Sequence, residues 1–140
     1  MFSRDYPATL TPNGEGGYIV TFRDVPEAIT EIWDKNELKE TATDCLVTAD
    51  DFYIEDHRLF PAPSKTKKDD VIIQLPISIS AKILLLNTMV SGNIRPVDLA
   101  KKMGIKPQEV NRIIDTGHTT KIDTIAKALS VLGKNLQLSI

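Results

Sequence analysis

The residues best suited to chemistry in this chain of 140 residues are polar side chains between Lys106 and Lys121. Glutamine and asparagine can form paired hydrogen bonds with adenine, and arginine can do so with guanine. The candidates for base contact follow a predicted helix start: Lys106, Gln108, Glu109, Asn111 and Arg112. Candidates for phosphate contact, which gives affinity without sequence information, are Lys101, Lys102, His118, Thr119, Thr120 and Lys121. This spacing predicts DNA recognition, although Glu109 would repel phosphate unless it accepts from cytosine.

Short helices must position these side chains. Pro96 suits the first position of a helix, and Gly104 can take the left-handed conformation that ends it. Ala100 lets this helix approach the next one closely, and Val110 fills the space between them. A further helix follows Gly117. The pattern predicts a helix-turn-helix whose second helix enters the DNA major groove; the alternative is a small helical bundle that contacts only proteins.

Charge is divided unevenly along the chain. Residues 1–80 hold 8 Lys or Arg against 15 Asp or Glu, whereas residues 81–140 hold 9 against 4. The net charges of −7 and +5 suit two kinds of partner. A basic half attracts a polyanion, and an acidic half attracts a basic protein. The alternative is a chance partition of surface charge.

The first half has the alternation of a β-sheet with one helix. The predicted strands are residues 6–11, 18–22, 29–32 and 71–75. Apolar residues at spacings of three and four predict a helix that starts from a cap at Asp34, with Glu37 at capping-box spacing, and runs to about Glu55. A charged stretch through Asp70 is expected to be mobile. The order is β-β-β-α-β.

Helical periodicity begins near residue 77, which predicts an α+β protein with domains at 1–76 and 77–140. Ser78 is the expected N-cap of the first helix of this part. The segment from Leu136 to Ile140 alternates in polarity and is a candidate terminal strand.

Catalysis is not expected. Metal-dependent nucleases need acids that converge on ions about 4 Å apart. The candidate acids, most of which share one predicted helix, are Asp24, Asp44, Asp50 and Asp51. Asp50 and Asp51 are adjacent and diverge, His57 lacks a companion nucleophile, and Cys45 falls on the apolar face. We therefore predict no catalytic residue, no metal and no cofactor.

Nothing in the sequence predicts a membrane protein or a secreted one. No apolar run reaches the roughly 20 residues of a membrane span, and the first residues lack the apolar stretch of a signal peptide. The single cysteine excludes an internal disulfide. These features favour a cytoplasmic protein.

The sequence resembles HicB antitoxins over nearly its whole length. The opening likeness is carried by residues 6–10 (Tyr-Pro-Ala-Thr-Leu), 16–22 (Gly-Gly-Tyr-Ile-Val-Thr-Phe) and 24–28 (Asp-Val-Pro-Glu-Ala). It continues in residues 44–46, 50–53 and 59–64. The second half is similar to the Xre/Cro-type helix-turn-helix carried by one branch of that family.

The resemblance implies a partial RNase H-like N-terminal domain without catalytic activity. It also implies a partner, a small basic HicA-type ribonuclease toxin that cleaves mRNA, and repression of the protein's own operon. Candidate toxin contacts are Asp24, Glu27, Trp33, Asp51 and Glu55. A homodimer or higher homo-oligomer would bind operator half-sites about 34 Å apart. The alternative is a stand-alone regulator with a helix-turn-helix and an N-terminal domain that senses a ligand or protein.

The chain departs from the family pattern at two places. Ile32 and Trp33 stand where many relatives have Gly and an acidic residue; we expect Trp33 in the core, and an altered toxin contact is the alternative. Arg95 and Lys106 stand where Ser or Thr caps are usual. Those helix starts are expected to lose a cap worth about 1 kcal/mol and to gain phosphate-binding charge.

Overall fold

The structure is a computed structural model that describes residues 2–140, and it confirms the α+β class. The strands are β1 (Asp5–Pro12), β2 (Tyr18–Phe22), β3 (Ile29–Ile32) and β4 (Val71–Gln74). The helices are α1 (Leu38–Glu55), α2 (Ile77–Ser91), α3 (Pro96–Met103), α4 (Pro107–Ile114) and α5 (Ile122–Val131). The predicted order β-β-β-α-β is therefore correct for the first part of the chain.

The four strands form one antiparallel sheet in the order β3-β2-β1-β4. Successive side chains of a strand point to opposite faces, and in this sheet one face carries most of the buried residues. They include Tyr6, Ala8, Val20, Phe22, Ile32 and Ile73. The turn between β1 and β2 is fixed by Asn13, whose Oδ1 accepts from the backbone N–H of Glu15 at 2.8 Å and of Gly17 at 3.0 Å.

The helix after β3 starts with a 3-10 turn over Lys35–Glu37. Asp34 is the cap, as predicted, but its Oδ1 accepts from the N–H of Asn36 at 2.9 Å. The N–H of Glu37 donates to the backbone carbonyl of Asp34, so the predicted capping box is not made. Ala42, Leu46 and Ala49 supply the buried face of α1. Cys45 is half-buried beside them, and burial raises the pKa of its thiol.

The proline-rich segment after α1 is held by side chains of the sheet. The phenol of Tyr6, itself fully buried, donates to the carbonyl of Pro61 at 2.7 Å. Asp24 Oδ2 accepts from the N–H of Ser64 at 2.9 Å and from its hydroxyl at 3.0 Å. The entry to this segment is therefore tied to β1 and to the turn after β2.

Arg23 holds the charged stretch that was expected to be mobile. Its guanidinium donates to both carboxylate oxygens of Asp70 at 2.8 Å, to the carbonyl of Lys65 at 2.8 Å and to Ser64 Oγ at 2.8 Å. The N–H of Lys67 donates to the same carboxylate at 2.6 Å. The hydrogen bond from Arg23 and the one from Lys67 lower the pKa of Asp70 to about 2. The expectation of mobility missed this set of contacts, which joins residues about forty positions apart.

By their contacts, the residues fall into two units. The first comprises the chain up to Asp50 with Pro61–Pro76, and the second comprises Asp51–Phe60 with Ile77–Ile140. The last turn of α1 thus belongs with the helices. The predicted domains, 1–76 and 77–140, differ from these units only in the placement of Asp51–Phe60.

The second unit is a helical core. Its buried residues include Leu85, Met89, Leu99, Ala100, Val110, Ile113, Ile125, Ala128 and Leu129. The helix α2 already contains Ser78, so the prediction that Ser78 is its N-cap is wrong. The helix starts directly after Pro76, whose fixed φ is compatible with a helix start.

The turn between α3 and α4 has the predicted left-handed glycine. Gly104 has φ of 70°, its N–H donates to the carbonyl of Lys101 at 3.3 Å, and the N–H of Ile105 donates to the carbonyl of Ala100 at 3.0 Å. These two bonds are those of a Schellman motif, which satisfies the last carbonyls of a helix.

The start of α3 has no side-chain cap from Arg95, as predicted, but one half of a capping box is made by Asp98. The carboxylate of Asp98 accepts from the backbone N–H of Arg95 at 3.0 Å and from its guanidinium at 3.1 and 3.2 Å. A guanidinium has no acceptor, so the opposite half of a capping box cannot form. These bonds lower the pKa of Asp98 and engage the charge expected to bind phosphate. The start of α4 at Lys106 has no side-chain cap, as predicted.

The predicted strand from Leu136 to Ile140 is wrong for the single chain, in which residues 134–140 are irregular. A strand needs a neighbour to accept its backbone hydrogen bonds, and none lies beside it among residues 2–140. Leu136 packs against the helical core, whereas Leu138 and Ile140 are exposed.

Lys82 is the main polar anchor of the second unit. It lies in α2, is only 2% exposed, and directs its ammonium at the chain that follows α4. The three N–H donors of Nζ are shared among four acceptors, the carbonyls of Arg112 at 3.2 Å, Asp115 at 2.7 Å and His118, and Thr120 Oγ1 at 2.8 Å. Burial lowers the pKa of Lys82, and Asp115 opposes that shift. A single ammonium thus holds the end of α4 and the loop to α5.

Two further properties of residues 2–140 concern membranes and metals. No single helix has the length and hydropathy to cross a membrane, and only the pair α2 and α3, bent by 108°, meets that test together. Within residues 2–140, no group of three or more His, Cys, Asp or Glu residues is placed to hold a metal ion.

Acid titration tests the contact between Arg23 and Asp70. The pKa of Asp70 is about 2 in the folded protein and about 3.9 in an unfolded chain, so its ionisation favours folding above about pH 4. We expect Asp70→Asn to lower the thermal midpoint near neutral pH. The difference from wild type should close as the pH falls from about 4 to about 2. Glu15→Gln, at the exposed hairpin tip, is the control; a difference for Asp70→Asn that is independent of pH would contradict the assignment.

Replacement of Lys82 by methionine tests the polar anchor. Methionine keeps most of the volume but leaves the carbonyls of Arg112, Asp115 and His118 without their donor. We expect a loss of about 1–3 kcal/mol in the free energy of unfolding, with faster amide hydrogen exchange at residues 115–120. Lys127→Met, at an exposed lysine of α5, should change stability by less than about 0.5 kcal/mol. Equal stability of the two variants would show that the ammonium does not hold the loop.

Candidate nucleic-acid interface

The helix α4 divides its residues between core and solvent. Val110, Ile113 and Ile114 are buried, because apolar residues three and four positions apart share one face of a helix. The opposite face carries every side chain that the sequence predicted for base contact, and each is exposed: Lys106, Gln108, Glu109, Asn111 and Arg112. The face could therefore present two amides and a guanidinium to base edges without unfolding the core.

The N-terminal end of α4 is suited to an anion. Pro107 occupies its first position and Lys106, the N-cap, makes no side-chain cap. Backbone N–H groups at a helix start attract negative charge, as does the positive end of the helix dipole. Glu109 in the first turn opposes this attraction. The start of α4 thus offers a phosphate contact through its backbone and Lys106.

A groove of about 560 Å³ runs between α4 and α5. It brings together the second half of the predicted set: Arg112, His118, Thr119, Thr120 and Lys121, joined by Lys127 and by the acids Glu109 and Asp123. Met103, Ile105 and Ile113 form part of its wall. Lys101 and Lys102 are exposed on α3 and do not line it.

The loop that carries His118 and Thr119 is built by tight local bonds. Asp115 Oδ1 accepts from the N–H of Gly117 at 2.9 Å, and the carbonyl of Asp115 accepts from the N–H of His118 at 3.1 Å. Thr116 is buried beneath the turn. His118, Thr119 and Lys121 consequently remain exposed.

Thr120 differs from its neighbours because its hydroxyl accepts from Lys82. We assign it to positioning of the loop, although it was predicted to contact phosphate. Sequence reasoning missed Lys82 because it lies within a strongly apolar helix whose periodicity gave no sign of a polar role. Only the fold brings it to residues 30 to 38 positions later in the chain.

The predicted toxin-contact residues do not lie together in one unit. Asp51 and Glu55 belong to the helical unit. Burial, then Asp115 and Glu55, raise the pKa of Asp51. Asp24 belongs to the first unit, where its carboxylate already accepts two hydrogen bonds from Ser64. Glu27 and Trp33, also in the first unit, are exposed.

Trp33 is 53% exposed, so the expectation that it fills the core is wrong. The reason is the parity of β3: Ile32 is fully buried, and the residue after it must point to the opposite face. Its indole packs over Gly17, where a Cβ atom would come within 2.8 Å of Trp33 Cε3.

Comparison with protein families matches residues 5–84 to the HicB-like antitoxin of bacterial toxin–antitoxin systems. Antitoxin HicB of Escherichia coli (strain K12) is 45% identical over 133 residues, which cover 95% of this chain and 96% of the relative. Antitoxin HicB 2 of Photorhabdus laumondii is 48% identical over 133 residues, with 95% and 94% covered. Antitoxin HicB of Pseudomonas fluorescens is 29% identical over 126 residues, 89% of this chain and 86% of the relative.

These likenesses confirm the resemblance read from the sequence. The relatives are named as antitoxins and not as enzymes, in agreement with the prediction that the chain is not an enzyme. The family match ends within α2, so the helix-turn-helix of one branch of the family stays a prediction. The chain belongs to the HicB family of antitoxins from bacterial toxin–antitoxin systems.

Proposed function

We propose that this antitoxin binds and neutralises a HicA-type toxin, a ribonuclease that cleaves mRNA, and represses its own operon by binding operator DNA. The observation that carries the proposal is the identity of 45% with Antitoxin HicB of Escherichia coli over nearly the full length of both chains. Because the likeness spans both units, it supports the same function for this chain as for the relative. The charges and exposed residues of each unit indicate which part of that function each unit carries out.

The two units carry opposite charge. The first holds 7 Lys or Arg against 12 Asp or Glu, a net charge of −5, and the second holds 10 against 7, a net charge of +3. A basic ribonuclease is attracted to the first unit and DNA to the second. We assign toxin binding mainly to the first unit, with Glu27 and Trp33 as candidate contacts.

Operator binding is assigned to α4 and the loop after it. Gln108, Asn111 and Arg112 would contact base edges, and Lys106, His118, Thr119 and Lys121 would contact phosphates. One helix of eight residues covers only a short half-site, so we propose a homodimer on a palindromic operator, with half-sites about 34 Å apart. The loop held by Lys82 sets the positions of the phosphate contacts.

Co-expression tests the antitoxin function. The partner is the protein encoded by a small reading frame adjacent to this gene. Its induction alone should arrest growth and shorten mRNA half-lives, and expression of this chain beside it should restore both. A matched experiment with the chain carrying an early stop codon is the control. If the chain neither binds that protein nor restores growth, it does not neutralise it, and the regulator without a toxin partner becomes the better reading.

Alanine substitutions on α4 test operator binding. The triple variant Gln108→Ala, Asn111→Ala and Arg112→Ala removes three base contacts, each worth about 1–3 kcal/mol. We expect operator affinity to fall at least about a hundredfold while toxin affinity is unchanged, both measured at one fixed salt concentration.

The control triple changes the same kinds of side chain away from α4: Lys134→Ala, Asn135→Ala and Gln137→Ala, all at exposed positions. It should bind the operator like wild type. Unchanged operator affinity in the α4 triple would mean that another element reads the bases.

A further inference from the structure

We propose that the toxin docks on the open face of the sheet at β2 and β3, with Trp33 as the aromatic anchor. This inference rests on the proposed antitoxin function and names the surface that carries it. We call this surface the Trp33 face, defined by Ile19, Ile29, Glu31 and Trp33. All four side chains point away from the buried face of the sheet.

The register of the sheet brings these side chains together. Ile19 lies opposite Glu31 and Thr21 lies opposite Ile29, and continuation of the same register sets Gly17 opposite Trp33. Ile29 is 63% exposed, Trp33 53% and Ile19 37%. Residues diagonal to one another on adjacent strands lie about 7–8 Å apart. The apolar side chains therefore form one surface and are not scattered singly.

Trp33 is held in place before any partner arrives. Gly17 has no side chain, and the indole occupies the space over its backbone. An aromatic ring that covers a cross-strand glycine is a known device of β-sheets. The indole thereby contacts the chain at Gly17, while 53% of Trp33 remains exposed. Because little conformational freedom remains to be lost, such a tryptophan has the features of an interface hot spot.

β3 is an edge strand, with no strand on its outer side among residues 2–140. Exposed edges with apolar side chains favour pairing with another chain, and natural proteins usually protect them with charges, proline or a bulge. Within β3 the only charged side chain is Glu31, between the exposed Ile29 and Trp33. A partner on the Trp33 face could thus also reach the backbone of this edge.

Acids outnumber bases around the Trp33 face, where the nearest exposed lysine, Lys35, lies over the ring of Tyr18, and this balance favours a basic partner. Glu31 is oriented by Asn13, whose Nδ2 donates to Glu31 Oε2 at 3.0 Å. Glu27 and Asp34 flank β3 in the chain and are also exposed. These acids would repel a nucleic acid, and they would repel the same acids of a second copy. A small basic protein with an apolar surface is the occupant that satisfies both the apolar and the acidic parts.

The first test compares two aromatic residues of matched exposure. Trp33→Ala should weaken the affinity for the toxin at least about thirtyfold, the range of an interface hot spot. Phe52→Ala removes an aromatic side chain that is 52% exposed in the other unit and should change toxin affinity by less than about threefold. Both variants should bind the operator like wild type, which reports that the second unit is folded, and should keep the wild-type far-UV circular dichroism and thermal midpoint, which report on the sheet of the first unit.

The second test uses charge at Ile29. Ile29→Lys and Ile29→Glu both remove the exposed apolar side chain. The lysine should weaken binding to a basic toxin more than the glutamate does. Equal effects would contradict the assigned role of the acidic border. Because neither variant disturbs the contact between Trp33 and Gly17, this test stands even if Trp33→Ala perturbs the sheet.

A spectroscopic measurement reports contact directly. Trp33 is the only tryptophan of the chain, so the antitoxin labelled with 5-fluorotryptophan gives one fluorine resonance. Its chemical shift should change on addition of unlabelled toxin and stay constant on addition of operator DNA.

The outcomes separate this inference from the proposed function. If wild type binds the toxin and the Trp33 and Ile29 variants bind it equally tightly, the docking surface is wrong and the antitoxin function stands. If wild type does not bind the toxin, both fail. If Trp33→Ala changes the oligomeric state in sedimentation while toxin affinity is constant, the face contacts a second copy and the inference is overturned.

Discussion

A buried ammonium group determines the geometry of the region assigned to DNA. Lys82 donates to three backbone carbonyls and a hydroxyl at the end of α4 and in the following loop. Burial of a charge is costly unless hydrogen bonds replace those of water, and here the backbone supplies them. The same bonds satisfy carbonyls that a helix leaves without partners at its C-terminus. The positions of His118, Thr119 and Lys121 therefore follow from a residue in a different helix.

The first unit depends on a comparable arrangement near its surface. Arg23 and Asp24, which follow β2 directly, bind the chain at Ser64, Lys65 and Asp70. These contacts fix a segment that has no regular secondary structure, and the segment leads into β4. The fourth strand, β4, lies far along the sequence from the hairpin of β1 and β2. The hydrogen bonds that hold the segment before β4 therefore help to place β4 beside β1.

Local patterns made most of the architecture predictable. Alternating strands, the glycine turn at Gly104 and the proline at the start of α4 act within a few residues, and the structure agrees with them. The hydrogen bond from the N–H of Arg95 to Asp98 could also be predicted, because Asp98 has the spacing of a capping box. The sequence prediction considered only whether the side chain of Arg95 could act as a cap. The exposure of Trp33 follows from the parity of β3 once Ile32 is assigned to the core.

Other features could not be predicted from local patterns. The role of Lys82 and the assignment of the last turn of α1 to the helical unit depend on residues distant in sequence. The same holds for the contacts of Arg23. The periodicity of apolar residues does not predict these contacts, because they form only between residues that folding brings together. The exposed residues of the candidate site could thus be predicted from the sequence, whereas the role of Lys82 in positioning them could not.

The packing of Trp33 over Gly17 has a consequence for the history of this sequence. A Cβ atom at position 17 would meet the indole at 2.8 Å and the carbonyl of Ile32 at 2.7 Å. Glycine is therefore required at position 17 by the backbone of β3 as well as by the indole, and a side chain there would displace the ring. Position 17 is therefore expected to remain glycine among descendants of a common ancestor, whichever residue follows β3. The restriction falls on position 17 and not on position 33, so a single substitution of Trp33 removes the aromatic surface while the glycine of the hairpin persists.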